Sequence, residues 1–186
     1  NFRSQHPYLT DDGGIIVSSG EGLMVKLDKN SNLEWHIERH FHHGIERGIE
    51  RGTFISQIIV DGPVVMPNGE KVKDLRNDGY VIFSESGKIL EEKSITQVLI
   101  DNGYEGLVFG QAWETDRIHL NDAQFIETSD SYVERGDIML SARHISTVFL
   151  YRPRTNQVVW LKTGPFLNQH DIDYQGDGEF TIFGND

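Results

Sequence analysis

The sequence predicts an all-β protein built as a β-propeller. Short runs of β-branched and aromatic residues alternate with polar turns along almost the whole chain. A strand–turn–strand unit with a tryptophan near its end recurs, and a self-similar β unit of roughly 40–50 residues marks propeller blades. Helical periodicity is confined to one stretch. An irregular β-sandwich is the competing architecture, because hairpins with polar turns occur in any all-β protein.

In chain order, Gly14-Ile15-Ile16-Val17-Ser18 and Leu23-Met24-Val25-Lys26-Leu27 open the series. Asp28-Lys29-Asn30-Ser31-Asn32 then turns the chain toward Trp35. A His-rich stretch, residues 36–43, reads as a loop, as does the tandem repeat Ile45-Glu46-Arg47-Gly48 and Ile49-Glu50-Arg51-Gly52. Phe54–Val60 is the next strand, and Pro67-Asn68-Gly69 a turn. Gly79–Phe83 with the turn Glu85-Ser86-Gly87 forms a looser copy of the unit. Ile95, Val98 and Leu99 fall at helical spacing before Asn102-Gly103, which places a helical insertion at 92–102.

Asp137–Ser141 and Thr147–Tyr151 follow, then the turn Arg154-Thr155-Asn156 and Gln157–Leu161. Here the unit repeats clearly, with Trp160 in the place of Trp35 and both tryptophans as packing aromatics. Gly176-Asp177-Gly178 and Phe180–Phe183 begin a further piece that runs to Asn185 and Asp186. The spaced acids of residues 171–179 fit a Gly-Asp-Gly hairpin better than a calcium loop. About three blades and partial blades are visible, whereas propellers have typically 4–8. Residues 1–186 therefore read as a single propeller domain or a fragment of one, with the ring closed by further sequence or by a second chain.

Composition narrows the function. Seventeen Lys and Arg against 29 Asp and Glu give a formal charge of -12. Nucleic acid and acidic membrane surfaces are poor partners for such a chain. No apolar run is long enough to span a membrane. No basic-then-apolar leader is visible, and the chain opens on Asn1, which leaves an earlier leader or upstream sequence open. There is no cysteine, so thiolate chemistry and Cys-based metal sites are excluded.

Histidines carry the chemistry. His43 ends the His-rich stretch, while His119 and His170 each precede a strand-like run at what reads as equivalent points of the repeat. The innermost strand of every blade starts near the central channel, so such residues converge although far apart in sequence. Converging imidazoles serve either metal ligation or nucleophilic and acid–base work on a transferable group. Arg143 follows the central strand of the His119 unit and is suited to anionic oxygens. Asn121, two residues after His119, lies on the same side of an extended strand and can donate a hydrogen bond.

The ordered set His119-x-Asn121, Ser141-x-Arg143 and Gln169-His170-Asp171 resembles the bacterial arylsulfotransferase (arylsulfate sulfotransferase) family, with Thr155, Val158 and Trp160 of that family's Thr-x-x-(Val/Ile)-x-Trp pattern in the stretch between. The match is dense over about residues 103–186 and weaker over 13–45, where Gly44 stands for the family's aspartate. The resemblance implies a six-bladed toroid and sulfuryl transfer from an aryl sulfate, not an adenosine-type donor, to a phenol. It implies that His170 is the transiently sulfated nucleophile. His119, Arg143 and Asn121 would hold sulfuryl oxygens, and His43 would be an acid, base or oxygen ligand. His42 competes with His43 for that place. No metal and no cofactor is expected. The expected partners are a small aromatic sulfate and a phenol, and a homo-oligomer or completing segment would close the ring. A periplasmic or secreted location follows from the resemblance. The pocket is expected to be electropositive, with Asp171 turned away from His170 to brace neighbouring backbone. The other class of function is a non-catalytic propeller that keeps the pocket for binding or structure.

Overall fold

The computed structural model describes residues 6–20, 22–110 and 115–184. The chain is mostly β, as expected. Strands β1 (Tyr8–Leu9), β2 (Ile15–Ser18), β3 (Gly22–Leu27), β4 (Leu33–Arg47) and β5 (Thr53–Ile59) lead into a short hairpin, β6 (Val64–Val65) and β7 (Lys71–Val72). β8 (Asp78–Ser84) and β9 (Ile89–Ser94) precede helices α1 (Ile95–Asp101) and α2 (Glu105–Phe109). β10 (Leu120–Phe125), β11 (Ile138–Ala142), β12 (Thr147–Arg152) and β13 (Gln157–Thr163) follow, then β14 (His170–Gly176) and β15 (Glu179–Phe183).

The strands pair antiparallel in sequence order, so each group is a meander. β1, β2, β3, β4, β5, β8 and β9 form one seven-stranded sheet, β10 to β13 a four-stranded sheet, and β14 and β15 a hairpin. The large sheet is two four-stranded groups that share β4. β4 pairs with β3 from Leu33 to Phe41 and with β5 from His40 to Arg47, so the two pairings overlap at His40 and Phe41, and a bulge interrupts the second between His42 and Ile45. Residues 36–47 are therefore strand, not the loop read from the sequence; a bulge lets one strand bend and serve two groups. Only residues 48–52 of the tandem repeat form a turn. Among the described residues no sheet closes on itself.

Three apolar layers lie between four successive strand groups. Ile16, Met24, Phe41, Phe54, Ile58, Val81 and Phe83 form the first layer. Ile55, Tyr80, Leu99, Ile138, Leu140 and Phe149 belong to the second, and Met139, Val148, Leu150 and Ile172 to the third. Central strands alternate between layers: Phe54 and Ile58 face one way and Ile55 the other. Strands buried on both faces read as continuous apolar runs, which is why they were legible in the sequence.

The five hairpin turns fall where the sequence puts them. At Gly87 φ is +77°, and a Cβ there would lie 2.7 Å from the Trp35 ring, so the turn needs glycine twice over. Trp35 Nε1 donates to the Glu85 carbonyl across the same turn (2.9 Å). The helical insertion begins later than expected. Glu92 to Ser94 finish β9, and Ser94 caps the helix by accepting from Gln97 N–H (2.9 Å). Helix α2 had no periodic signal, being only five residues long.

Candidate functional site

The inner strands of three groups lie side by side: the end of β4, β10 and β14 pack against one another. They bring together His43, at the bulge within β4, His119, just before β10, and His170, the first residue of β14. The His43 ring centroid lies 5.0 Å from that of His119 and 5.9 Å from that of His170. His43 (φ +62°) and His119 (φ +51°) both adopt the left-handed backbone region, which is uncommon for a non-glycine residue. Strain of this kind concentrates at functional sites.

The two strands β10 and β14 are offset by more than the sequence implied. His119 (φ +51°) corresponds to Asn168 (φ +52°); each is followed by a buried residue, Leu120 or Gln169, and then by Asn121 or His170. Asn121, not His119, thus holds the place of His170 in its own strand. His119 reaches the cluster from one turn position earlier.

A cavity of about 250 Å³ opens beside the cluster, lined by His43, Gly44, Glu46, Asn121, Asp122, His170 and Asp171, with His6 at its edge. Asp171 lines it together with His170, against the expectation of opposite sides. A bulge at Asp171, with φ +54°, breaks the simple alternation of the strand. The bracing role falls instead to Asp122, whose Oδ2 accepts from Ile172 N–H (2.9 Å). A larger cavity, about 760 Å³, lies elsewhere, around Tyr8, Arg47–Phe54 and Arg135, and contains none of the histidines.

The other expected residues take distinct places. Asn121 Nδ2 donates to the Gln169 carbonyl (2.6 Å), so one of its two N–H groups serves structure and not a ligand oxygen. Arg143 sits in a 3-10 turn after β11, with its N–H bonded to the His119 carbonyl (3.0 Å). Among the described residues its guanidinium makes no hydrogen bond, and its charge reaches His170. His42 is buried and outside the cavity lining. Its Nδ1 meets His43 Nδ1 at 2.8 Å, and its Nε2 lies 3.3 Å from Asp78 Oδ1. Of the two candidates, His43 is the one at the cavity. At Gly44 a Cβ would meet only His6, at 3.7 Å, so there is room at that carbon for the aspartate of the family pattern.

Electrostatics differ from the electropositive pocket expected. Burial, then the charges of His42, His119, His170 and Arg76, push His43 down to about 2, so it is neutral. Burial and the Arg143 charge also lower His170, against a hydrogen bond to the Asn168 carbonyl that raises it. In the neutral ring one nitrogen carries the proton and the other a lone pair. In the same cavity burial raises Asp122 to about 7, helped by the charges of Glu46 and Asp171. Glu46 is raised by burial and by Asp171 and Asp173. Neutral imidazoles and carboxyl groups line the cavity, with Arg143 as the nearby cation.

Four residues were missed by sequence reasoning: Arg76, Asp78, Asp116 and His144. Asp116 Oδ2 lies 2.6 Å from His119 Nδ1, and His144 Nδ1 lies 2.7 Å from the Asp116 carbonyl. The His119 and His144 rings stack at 4.5 Å. Asp116, His119 and His144 are near enough to share a metal ion. Both Nδ1 atoms are engaged by oxygens of Asp116 itself, however, which reads as a hydrogen-bonded network. Asp116, three residues before His119, was visible in the sequence; Arg76 and Asp78 lie in the stretch that offered only strand rhythm.

Comparison with known proteins follows the same direction. The sequence model of the family described as Arylsulfotransferase (ASST) matches residues 7–186. No curated protein matches the chain. Among solved structures it resembles a protein of unknown function from Bacteroides caccae, at TM-score 0.53 and 9% identity over 97% of this chain and 55% of that one. It also resembles the C-terminal WD40 domain of Sif2, at TM-score 0.53 and 10% identity over 98% of this chain and 41% of that one. BamB from Moraxella catarrhalis matches at TM-score 0.50 and 11% identity over 91% of this chain and 37% of that one. These likenesses concern the fold alone, which is WD40-like and propeller-like. The chain spans 55% of the first structure's length and less than half of the other two. The chain belongs to the arylsulfotransferase family.

Proposed function

From this membership we propose that the chain is part of a β-propeller that moves a sulfuryl group from an aryl sulfate to a phenol through a sulfated histidine, His170. The observation that carries the reading is the meeting of the His43, His119 and His170 rings where three inner strands pack, within reach of the Arg143 charge.

In the first half-reaction a ring-nitrogen lone pair of neutral His170 attacks sulfur. The N–S bond forms as the S–O bond to the aryl group breaks, and the phenolate leaves with the bonding pair. Arg143 and His119 stabilise negative charge on the sulfuryl oxygens; one such preorganised donor is typically worth about 2.7–4 kcal/mol. In the second half-reaction the acceptor oxygen attacks sulfur, the N–S bond breaks and its pair returns to His170. His43, held neutral by burial and so a weak base, accepts a hydrogen bond from the phenol, whose proton passes to solvent. A periplasmic or secreted location belongs to the same reading and rests on the family resemblance alone.

The carboxyl groups of Glu46, Asp122 and Asp171 that line the same cavity favour the alternative of a non-catalytic binding module. One experiment separates the two. The full-length protein is incubated with a chromogenic aryl sulfate and a phenol. Turnover lost in His170→Ala, with acid-labile sulfate on His170 when the acceptor is withheld, supports transfer. Turnover that survives His170→Ala rejects the sulfated histidine, and a folded protein inert to every aryl sulfate favours the binding module.

A further inference from the structure

We propose that Asp116 and Asp78, joined through Arg76, are positioning residues that set the tautomers of His119 and of the His42–His43 pair. The roles of His119 and His43 rest on the sulfuryl-transfer reading; the tautomers do not.

Asp116 and Asp78 come from different strand groups. Asp116 lies just before β10, and Asp78 is the first residue of β8. Arg76 spans them: its Nε is 2.8 Å from Asp78 Oδ1 and its Nη1 3.4 Å from Asp116 Oδ2. Its backbone N–H also donates to the Thr115 carbonyl (2.9 Å), next to Asp116. Asp78 is fully buried and its second oxygen accepts from Leu120 N–H at 3.4 Å, the residue that follows His119. A buried carboxylate so placed persists because it is paired.

The hydrogen atoms follow from the partners. An ionised carboxylate only accepts, so His119 Nδ1 carries the proton in its contact with Asp116 Oδ2. A carbonyl only accepts, so His144 Nδ1 carries one too. The His119 and His144 Nε2 atoms are then lone pairs in the neutral rings. Protonation of His119 turns its Nε2 into a donor whose charge Asp116 offsets. In the second arm, Asp78 Oδ1 is the carboxylate oxygen beside His42 Nε2, at 3.3 Å, and Nε2 makes no hydrogen bond as placed, so a small rotation of the ring would complete the pairing. With the proton on Nε2, His42 Nδ1 accepts from His43 Nδ1–H across 2.8 Å. The lone pair of His43 then sits on Nε2, the atom a hydrogen-bond acceptor at the cavity needs. One arginine therefore holds both carboxylates that orient histidines from two neighbouring groups.

The test is long-range ¹H–¹⁵N correlation of ring nitrogens in full-length, ¹⁵N-histidine-labelled protein at pH 8, above the ordinary imidazole range. Nδ1–H tautomers at His43, His119 and His144, with Nε2–H at His42, are expected in the wild type. Asp116→Ala, at a partly exposed site, should release His119 to Nε2–H, while His144, held by the backbone carbonyl of residue 116, and His43 keep their patterns. Asp78→Asn should change His42 and His43 and spare His144. Nε2–H on wild-type His119, or an unchanged His119 tautomer in folded Asp116→Ala, overturns the proposal. The wild-type spectrum decides it even if the variants fail to fold. Where turnover is present, Asp116→Ala should lower kcat on the order of 10–100-fold, as for other hydrogen-bond partners of working histidines, with a smaller effect on KM. A protein without turnover that shows the expected tautomers keeps this proposal and removes only the sulfuryl-transfer reading.

Discussion

The Asn121 side-chain amide donates to the backbone carbonyl of Gln169 at 2.6 Å, so the residue before His170 is held by the inner strand of the preceding group. Gln169 itself is fully buried and donates to Ser141 Oγ (3.1 Å) and to the Thr147 carbonyl (3.1 Å) of that same group. The backbone at His170 is thereby pinned from two sides before the strand begins.

Asn121→Ala leaves the Gln169 carbonyl buried without that donor. A loss of about 1–3 kcal/mol in unfolding free energy is expected. Urea denaturation of wild type and variant measures it, and a loss below about 0.5 kcal/mol would show that the link is not structural.

The His170 ring should titrate below the ordinary imidazole value, because burial and the Arg143 charge both disfavour its protonated form. Chemical-shift titration should place its midpoint under about 6.5. Arg143→Gln, by removing the positive charge, should move the midpoint upward. A wild-type midpoint above 6.5, or a downward move in the variant, contradicts the electrostatics described.

Asp122 has the opposite sign. Its carboxyl is raised from 3.8 to about 7, chiefly by burial. The folded state then binds more protons than the unfolded state between those values. Its contribution therefore favours folding below pH 4 and is lost as pH rises through about 7. Asp122→Asn retains an acceptor for Ile172 N–H without the charge. Each tenfold change in proton affinity is worth about 1.4 kcal/mol, and relaxation around the charge returns part of the total. At pH 8 the variant should therefore be more stable by about 2 kcal/mol, and the two proteins should converge near pH 4. Denaturation midpoints over pH 4–8 check the slope; parallel curves would remove Asp122 from the account.

The alternation of β-branched runs with polar turns determined the strands on its own, because backbone preference and turn chemistry act within a few residues. The apolar runs Ile138–Leu140 and Val148–Tyr151 read as strands, and the structure buries both faces of each. The repeat also placed His119 and His170 beside strand starts, and a repeat fold leaves little choice but to bring such starts together. Tertiary structure alone decided the rest. The bend at His42–Ile45 turned a His-rich loop into a strand shared by two groups. Burial, a property of neighbours and not of a residue, chose His43 over His42 for the cavity. The left-handed bulge at Asp171 put a carboxyl beside His170, where strand alternation forbade it. Arg76 and Asp78 are near neighbours in sequence, but their link to Asp116 crosses 40 residues of chain and depends on how two strand groups pack, so it left no local sign. Periodicity records what a residue does within its own strand; which groups meet between strands is written only in the packing.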